Sequence, residues 1–291
     1  FFFHPHAANP DAQESRGLGD VYKRQVRITG GSPQTILETN LGRTSGYDVK
    51  ENKVLYTGPG DLLWTKDFKS GEESMVYNFD KLPGRVYRWP EYLPDNINII
   101  VSSSSLVAAN DDSDILIYNS QSGDYKTLIS NAYNARYISS TGKIIFVRDS
   151  SLWSVNFDEN KLITSGEEKQ HIQNIQTNGI LGSAAYSVSN NGRLIYLKGS
   201  DVAVASSNLT MKVLSVNGEI LETLPMEGRF GQVSFSPNGD YLSYTNYDGP
   251  NADVWVYDFN NNISGRRTFN GKSNRSRWHP DGKKLIYAKF V

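Results

Sequence analysis

Six arginines carry the most specific chemical possibility in this chain. Arg43, Arg88, Arg136 and Arg229 each stand near the start of an extended run, and Arg275 and Arg277 occupy the corresponding place in the last such run. Guanidinium groups gathered around one opening would hold a carboxylate, a phosphate or an acidic peptide through paired hydrogen bonds. The competing reading is six dispersed, solvated charges, and the two are separated by whether the side chains meet at one mouth.

Catalytic chemistry finds less support. A serine hydrolase of the elbow type needs Gly-x-Ser-x-Gly, and that pattern is absent; Gly30-Gly31-Ser32-Pro33 reads as a hairpin turn. Phosphoryl transfer needs a glycine-rich loop, a strand lysine and metal-binding aspartates. Gly58-Pro59-Gly60-Asp61 has no helix after it, and Asp67-Phe68-Lys69 lacks the glycine of a metal-binding motif. There is no cysteine, which removes thiolate metal sites and cysteine nucleophiles. His279 sits in a turn and His171 in a polar connector, where solvation is the simpler expectation. The run Asp111-Asp112-Ser113-Asp114 could chelate a hard cation but lacks the rest of an EF-hand loop. Asp61, Asp114 and Asp253 each precede a strand and read as turn or cap residues. No catalytic residue, metal site or cofactor is expected.

The elements that must position these residues are strands. Phe235-Ser236-Pro237-Asn238-Gly239 and Trp278-His279-Pro280-Asp281-Gly282 share one pattern, each followed by a β-prone run. Pro presets φ, Asn or Asp tolerates the next position, and Gly accepts a positive φ, so each reads as strand, tight turn, strand. Looser copies occur at Val188 to Gly192, Ile138 to Gly142, Tyr92 to Asn96 and Tyr47 to Asn52, about 45 residues apart. Each copy continues into a second strand pair, such as Asp253 to Tyr257 followed by Arg266 to Phe269. Runs such as Ile115-Leu116-Ile117-Tyr118 are apolar at every position, which suits a sheet covered on both faces.

Four-stranded units of this length predict an all-β chain folded as a β-propeller. Five whole blades are expected at 43–80, 85–129, 134–165, 180–224 and 229–270. Half-blades flank them, at Val26 to Leu37 and at 275–291, and pairing of the two halves would close a ring of about six blades. Trp64, Trp153, Trp255, Tyr118 and Tyr257 fall at matching third-strand positions, where packing between blades is the expected use.

These repeats resemble TolB-type, WD-repeat-like propellers. Arg88-Trp89-Pro90-Glu91-Tyr92-Leu93-Pro94-Asp95, Asn134-Ala135-Arg136-Tyr137, Ile145-Phe146-Val147-Arg148-Asp149 and Leu152 to Asp158 resemble, in that order, the C-terminal propeller region of bacterial serine/threonine protein kinases. Departures exist: Asn96 stands where a turn glycine is usual, and Lys50-Glu51-Asn52 lacks both Pro and Gly. The resemblance implies a noncatalytic binding or sensing module in a periplasmic or extracytoplasmic setting, with a kinase domain in cis in the intact gene. A propeller accessory domain of a secreted peptidase and a stand-alone TolB-type periplasmic binding protein remain open alternatives.

Residues 1–25 fit none of this. Ser15 to Gln25 back-translates into one frame of a transposon-based sequencing adapter, so residues 1–25 are expected to be a disordered, non-native tail and 26–291 the propeller. Lys plus Arg number 30 against 31 Asp plus Glu, leaving no bulk charge to draw nucleic acid or acidic lipid. No apolar run reaches membrane-span length, so no direct membrane contact is expected. The partner class is an unknown protein, a peptide or a small anionic ligand.

Overall fold

The computed structural model describes residues 21–29, 32–39, 46–76, 84–105, 112–179, 182–199, 209–215 and 218–290. Strands β1 (Val21–Arg27) and β2 (Gln34–Thr39) open the chain. Blade 1 follows as β3 (Tyr47–Lys50), β4 (Lys53–Thr57), β5 (Leu63–Asp67) and β6 (Glu73–Met75). Blade 2 is β7 (Arg85–Tyr92), β8 (Asn98–Ser105), β9 (Ser113–Asn119) and β10 (Tyr125–Ile129). Blade 3 is β11 (Tyr133–Ile138), β12 (Lys143–Arg148), β13 (Ser151–Asp158) and β14 (Ile163–Ile172).

A two-stranded hairpin, β15 (Thr177–Asn178) with β16 (Ser183–Ala184), precedes blade 4. Blade 4 runs through β17 (Tyr186–Val188), β18 (Arg193–Tyr196), β19 (Leu209–Ser215) and the first part of β20 (Ile220–Phe235). The rest of β20 is the inner strand of blade 5, with β21 (Tyr241–Asp248), β22 (Asn251–Asp258) and β23 (Ile263–Arg266). Because β20 serves both blades, the two form one seven-stranded sheet. Finally β24 (Ser273–Trp278) and β25 (Lys284–Phe290) pair with β1 and β2 in the order β2-β1-β25-β24. Six antiparallel blades result, and among the described residues the only helical piece is a short turn at Pro59–Asp61.

The ring is closed by its two ends. β1 pairs antiparallel with β25 from Val21 opposite Phe290 to Arg27 opposite Lys284, covering an edge that would otherwise expose a row of unpaired backbone groups. The strand therefore begins at Val21, ahead of the start expected at Val26. Pairing through backbone hydrogen bonds is tolerant of side-chain identity, which is why Val21–Gln25 can take part whatever their origin. Residues 1–20 lie outside the described residues.

Local chemistry explains the turns. Gly239 and Gly282 take φ of 78° and 67° in the hairpins between first and second strands, where a Cβ is disfavoured. Asn96 occupies the equivalent place in blade 2 at φ 60°, a conformation that asparagine tolerates better than most residues. At the end of the third strand, Asp67, Asn119, Asp158 and Asp258 each accept the backbone N–H groups two and three residues on. One side chain thus sets the same turn in four blades.

The core lies between blades. Second and third strands such as β8 and β9 are largely buried on both faces, and Leu93, Ile100, Ile115 and Ile117 of blade 2 pack with Ile144, Phe146 and Val155 of blade 3. Among the third-strand aromatics, Trp153 joins that cluster, whereas Trp255 stacks on Tyr244 of its own blade, 6.5 Å between ring centroids. Each blade interface repeats this arrangement, leaving the first strands to line the central channel.

Candidate functional site: the central channel

The first strands present one side chain each at an equivalent level. Register defines the level: Asp48 opposes Leu55, Glu91 opposes Ile100, Arg136 opposes Ile145, Ser187 opposes Ile195, Ser234 opposes Ser243 and Arg277 opposes Ile286. In every case the partner is the third residue of the second strand. Six blades therefore contribute a ring that reads, in order, acid, acid, arginine, serine, serine, arginine. All six line one cavity of about 320 Å³ at one mouth of the channel.

Bulges set the orientation in four of the blades. Register shifts fall between Arg88 and Glu91, Tyr133 and Arg136, Gly231 and Val233, and Asn274 and Arg277. Trp89, Asn134 and Arg275 hold positive φ of 56°, 51° and 54° within them. An extra residue in an inner strand re-aims the side chains that follow it. The inner strands of blades 1 and 4 have no bulge; instead Tyr47 donates to the carbonyls of Arg275 and Ile286, and Tyr186 donates to those of Asn134 and Ile145.

Ring side chains also tie neighbouring blades together. Asp48 Oδ2 accepts from the N–H of Tyr92, Glu91 Oε1 from that of Tyr137 and Ser187 Oγ from that of Phe235, at 3.0, 3.0 and 2.9 Å. Glu91 Oε2 pairs with Arg136 Nη1 at 2.8 Å, both side chains being mostly buried. Lys50 Nζ donates to the Leu93 carbonyl at 2.6 Å. Burial raises the carboxyl pKa values of Asp48 and Glu91, and for Glu91 the charge of Asp48 adds to the rise against the pull of Arg136. Burial, followed by the charge of Arg136 across the channel, lowers Arg277 to about 10.

The opposite mouth is built differently. Its cavity, about 270 Å³, is bounded by Arg229, Tyr247, Gln232, Asn274 and Arg275, with Gln176 to Asn178 and Ala184 from the β15–β16 hairpin. Among the described residues no carboxylate lines it. Arg229 Nη1 makes one long contact, 3.4 Å, to the Gly249 carbonyl, while Arg229 Nε and Asn274 Oδ1 are buried without a hydrogen-bond partner among the described residues. Burial lowers the Arg275 pKa, and Phe290 lies 5.8 Å from its guanidinium. A narrow space of about 10 Å³, lined by Tyr47, Trp89, Gln232, Arg275 and Arg277, lies between the two cavities, sharing Gln232 and Arg275 with one and Arg277 with the other.

Solved structures share this architecture. A protein named as a TolB from Agrobacterium tumefaciens superposes with a TM-score of 0.66 over 94% of this chain and 99% of its own length, at 14% identity. TolB from Acinetobacter baumannii gives 0.55 over 93% of this chain, also at 14% identity. The chain spans 64% of that protein's length. The fold is a TolB-like β-propeller. An oligogalacturonate lyase in complex with manganese superposes as well, TM-score 0.54 at 12% identity over 93% of this chain and 90% of its own, so the architecture also serves an enzyme. No protein-family model matches the chain, and no curated protein sequence matches it.

Of the six arginines singled out by sequence, Arg136 and Arg277 share one mouth and Arg229 and Arg275 share the other. They do not meet at a single opening as expected, because side chains before and after the bulge lie at different depths along an inner strand. Arg88 is buried at 6% exposure and donates to Ser104 Oγ of the adjacent strand at 2.6 Å. Arg43 lies outside the described residues. Asp48, Glu91, Lys50, Ser187 and Ser234 were not anticipated, although a signal exists in four of the six blades: Glu91, Ser187, Ser234 and Arg277 each immediately precede the residue that begins the repeated turn pattern, Tyr92, Val188, Phe235 and Trp278.

Other titratable groups have structural partners. Asp112 and Asp114 pair with Arg85 at 2.8 and 3.5 Å, and Asp253 holds Arg266, Thr268 and the Gly271 N–H. His279 bonds the Glu51 carbonyl and Asp281. His171 is not simply solvated: it is half-buried, with Nε2 2.8 Å from Ser154 Oγ, and burial lowers its pKa. Ser154 is buried at 1% exposure and Nδ1 of His171 has no partner among the described residues, so this pair lacks both access and the orienting acid of a triad. Among the described residues no three His, Asp or Glu side chains are grouped to hold a metal ion.

Proposed function

We propose that this propeller is a noncatalytic binding module whose channel arginines receive an anionic group, a carboxylate, a phosphate or an acidic peptide. The observation that carries the reading is the mouth around Arg229 and Arg275, where two guanidinium groups border a cavity with no carboxylate among the described residues of its wall. Such a site gains twice from an anion, by direct pairing and by relief of mutual repulsion. The ordered likeness of Arg88 to Asp95, Asn134 to Tyr137 and Leu152 to Asp158 to kinase-linked propellers supports reading this chain as the extracytoplasmic sensing portion of a receptor-like bacterial serine/threonine kinase. The likeness of the whole fold to TolB structures favours a second reading, a periplasmic binding protein without an attached enzyme.

Calorimetric titration with inorganic phosphate and with citrate tests the binding reading. Wild-type protein is expected to bind, and Arg229→Met with Arg275→Met together to abolish binding while the melting temperature is retained. Equal affinity in wild type and double variant would overturn it, as would hydrolysis or phosphotransfer by the chain itself. The complete gene separates the two settings: kinase signatures and a membrane span upstream favour the receptor, whereas an export signal alone favours the periplasmic protein.

A further inference from the structure

Two acid–base neighbours occur around the charged ring, and they differ. Glu91 and Arg136, on blades 2 and 3, are closed on each other at 2.8 Å. Arg277 and Asp48, on blades 6 and 1, are equally adjacent in the ring, yet no ion pair joins them and Arg277 has no carboxylate partner among the described residues. The Ser234 hydroxyl, next to Arg277 in the ring, bonds to no other described residue, and Ser187 uses its oxygen only as an acceptor from the Phe235 N–H.

We propose that this open junction binds a free α-amino acid, with its carboxylate on Arg277 and the Ser234 hydroxyl and its ammonium group on Asp48. The site is distinct from the Arg229–Arg275 mouth and does not depend on what binds there.

A simple anion fits this ring poorly, because it would also face Asp48 and Glu91. A simple cation would face Arg136 and Arg277. A zwitterion satisfies both halves, and a cavity of about 320 Å³ accommodates an amino acid with its side chain directed toward the open mouth. The direction of each perturbation agrees: burial with too little opposite charge raises Asp48 and Glu91, and burial with Arg136 opposite lowers Arg277. A ligand carrying both charges would act against the shifts at Asp48 and Arg277. Buried charge-assisted hydrogen bonds at both ends also make the site selective against molecules lacking either group.

Acidity separates a zwitterion from an anion. Asp48 and Glu91 titrate in the field of Lys50, Tyr92, Arg136 and Arg277, with Tyr47 and Tyr186 also close to the two arginines. Protonating the two carboxyls removes the ammonium partner and leaves the ring more positive. Amino-acid binding should therefore weaken as pH falls from 7 through the raised carboxyl range, whereas binding of a plain anion should strengthen.

The test is calorimetric titration with glycine, leucine and phenylalanine, with N-acetyl-leucine and leucinamide as blocked controls. At least one free amino acid should bind, and each blocked form should bind about tenfold or more weakly. Arg277→Met and Asp48→Asn should each lose a similar factor, with the fold checked by circular dichroism; Ser234→Ala, which strands no charge, should lose about fivefold. N-acetyl-leucine binding as tightly as leucine, or affinity rising on acidification, would convert the site to a plain anion site and overturn the proposal. Absence of binding by folded wild-type protein would also overturn it, while leaving phosphate binding at the other mouth to stand or fall separately.

Discussion

The two mouths of the channel draw on the same six inner strands and reach opposite electrostatic solutions. At one, Asp48, Glu91, Lys50, Arg136 and Arg277 nearly balance, and three of the ring residues also hold the next blade through a backbone N–H. At the other, Arg229 and Arg275 face a cavity lined by amides and a phenol, with no acid among the described residues. The balanced mouth is part of what assembles the ring, so its charges are partly structural. The basic mouth supports little of the fold, and its charges are available. Position along a strand, rather than residue type, decides which role an arginine has.

The largest effect that would break this contrast comes from unbalancing the balanced mouth. Glu91→Ala removes the partner of Arg136 and the acceptor of the Tyr137 N–H together, and should cost about 3 kcal/mol in denaturant unfolding. Arg275→Met strands no partner and should change stability by less than about 1 kcal/mol. Equal costs at the two positions would show that the mouths do not differ in the way described.

Much of this was legible in sequence. The Pro-Asn-Gly and Pro-Asp-Gly turns gave the repeat, the repeat gave the blades, and the half-blades at the two ends gave closure, because each rests on local turn chemistry or backbone pairing. Charged ring positions were legible only in part. Arg136 and Arg277 drew attention as arginines, whereas Asp48 and Glu91 were not singled out, since neither the register that places Asp48 nor the bulge that re-aims Glu91 leaves a compositional mark. The β15–β16 hairpin was missed because two-residue strands carry no periodicity. The role of β20 in two blades was missed because the repeat spacing ends one unit at 224 and starts the next at 229, a division that falls inside one continuous strand.

A smaller effect tests how the unbulged blades support the ring. Tyr47 and Tyr186 each donate to two carbonyls of the preceding blade, one of them at a bulge. Tyr186→Phe keeps the ring and leaves those carbonyls without this donor, an expected loss of about 1–2 kcal/mol. Tyr47→Phe should cost a comparable amount, because both positions play one part in a repeat. A null effect at Tyr186 with a large one at Tyr47 would mean that blade 1 is held by contacts that blade 4 lacks, and the mouths would then differ for reasons beyond charge.

The smallest effect is spread over several pH units and has a sign that distinguishes ring from rim. Asp48 and Glu91 have carboxyl pKa values raised from the ordinary 3.8 and 4.5, so the folded state binds protons more readily than the unfolded chain between those values and the raised ones. Stability should therefore rise as pH falls from neutrality through that window. At the turns, Asp67 and Asp158 are held below 3.8 chiefly by backbone N–H groups and Asp258 by the Asn261 side chain, so their contribution is present above 3.8 and lost as pH drops below it. Melting temperature should pass through a maximum on the acid side of neutrality. Asp48→Asn, whose amide oxygen can still accept from the Tyr92 N–H, should flatten the rising limb and leave the acid limb unchanged. A melting temperature that falls steadily from pH 7 to pH 4 in both proteins would mean that the ring acids are already compensated, and the balanced mouth would then have no open junction.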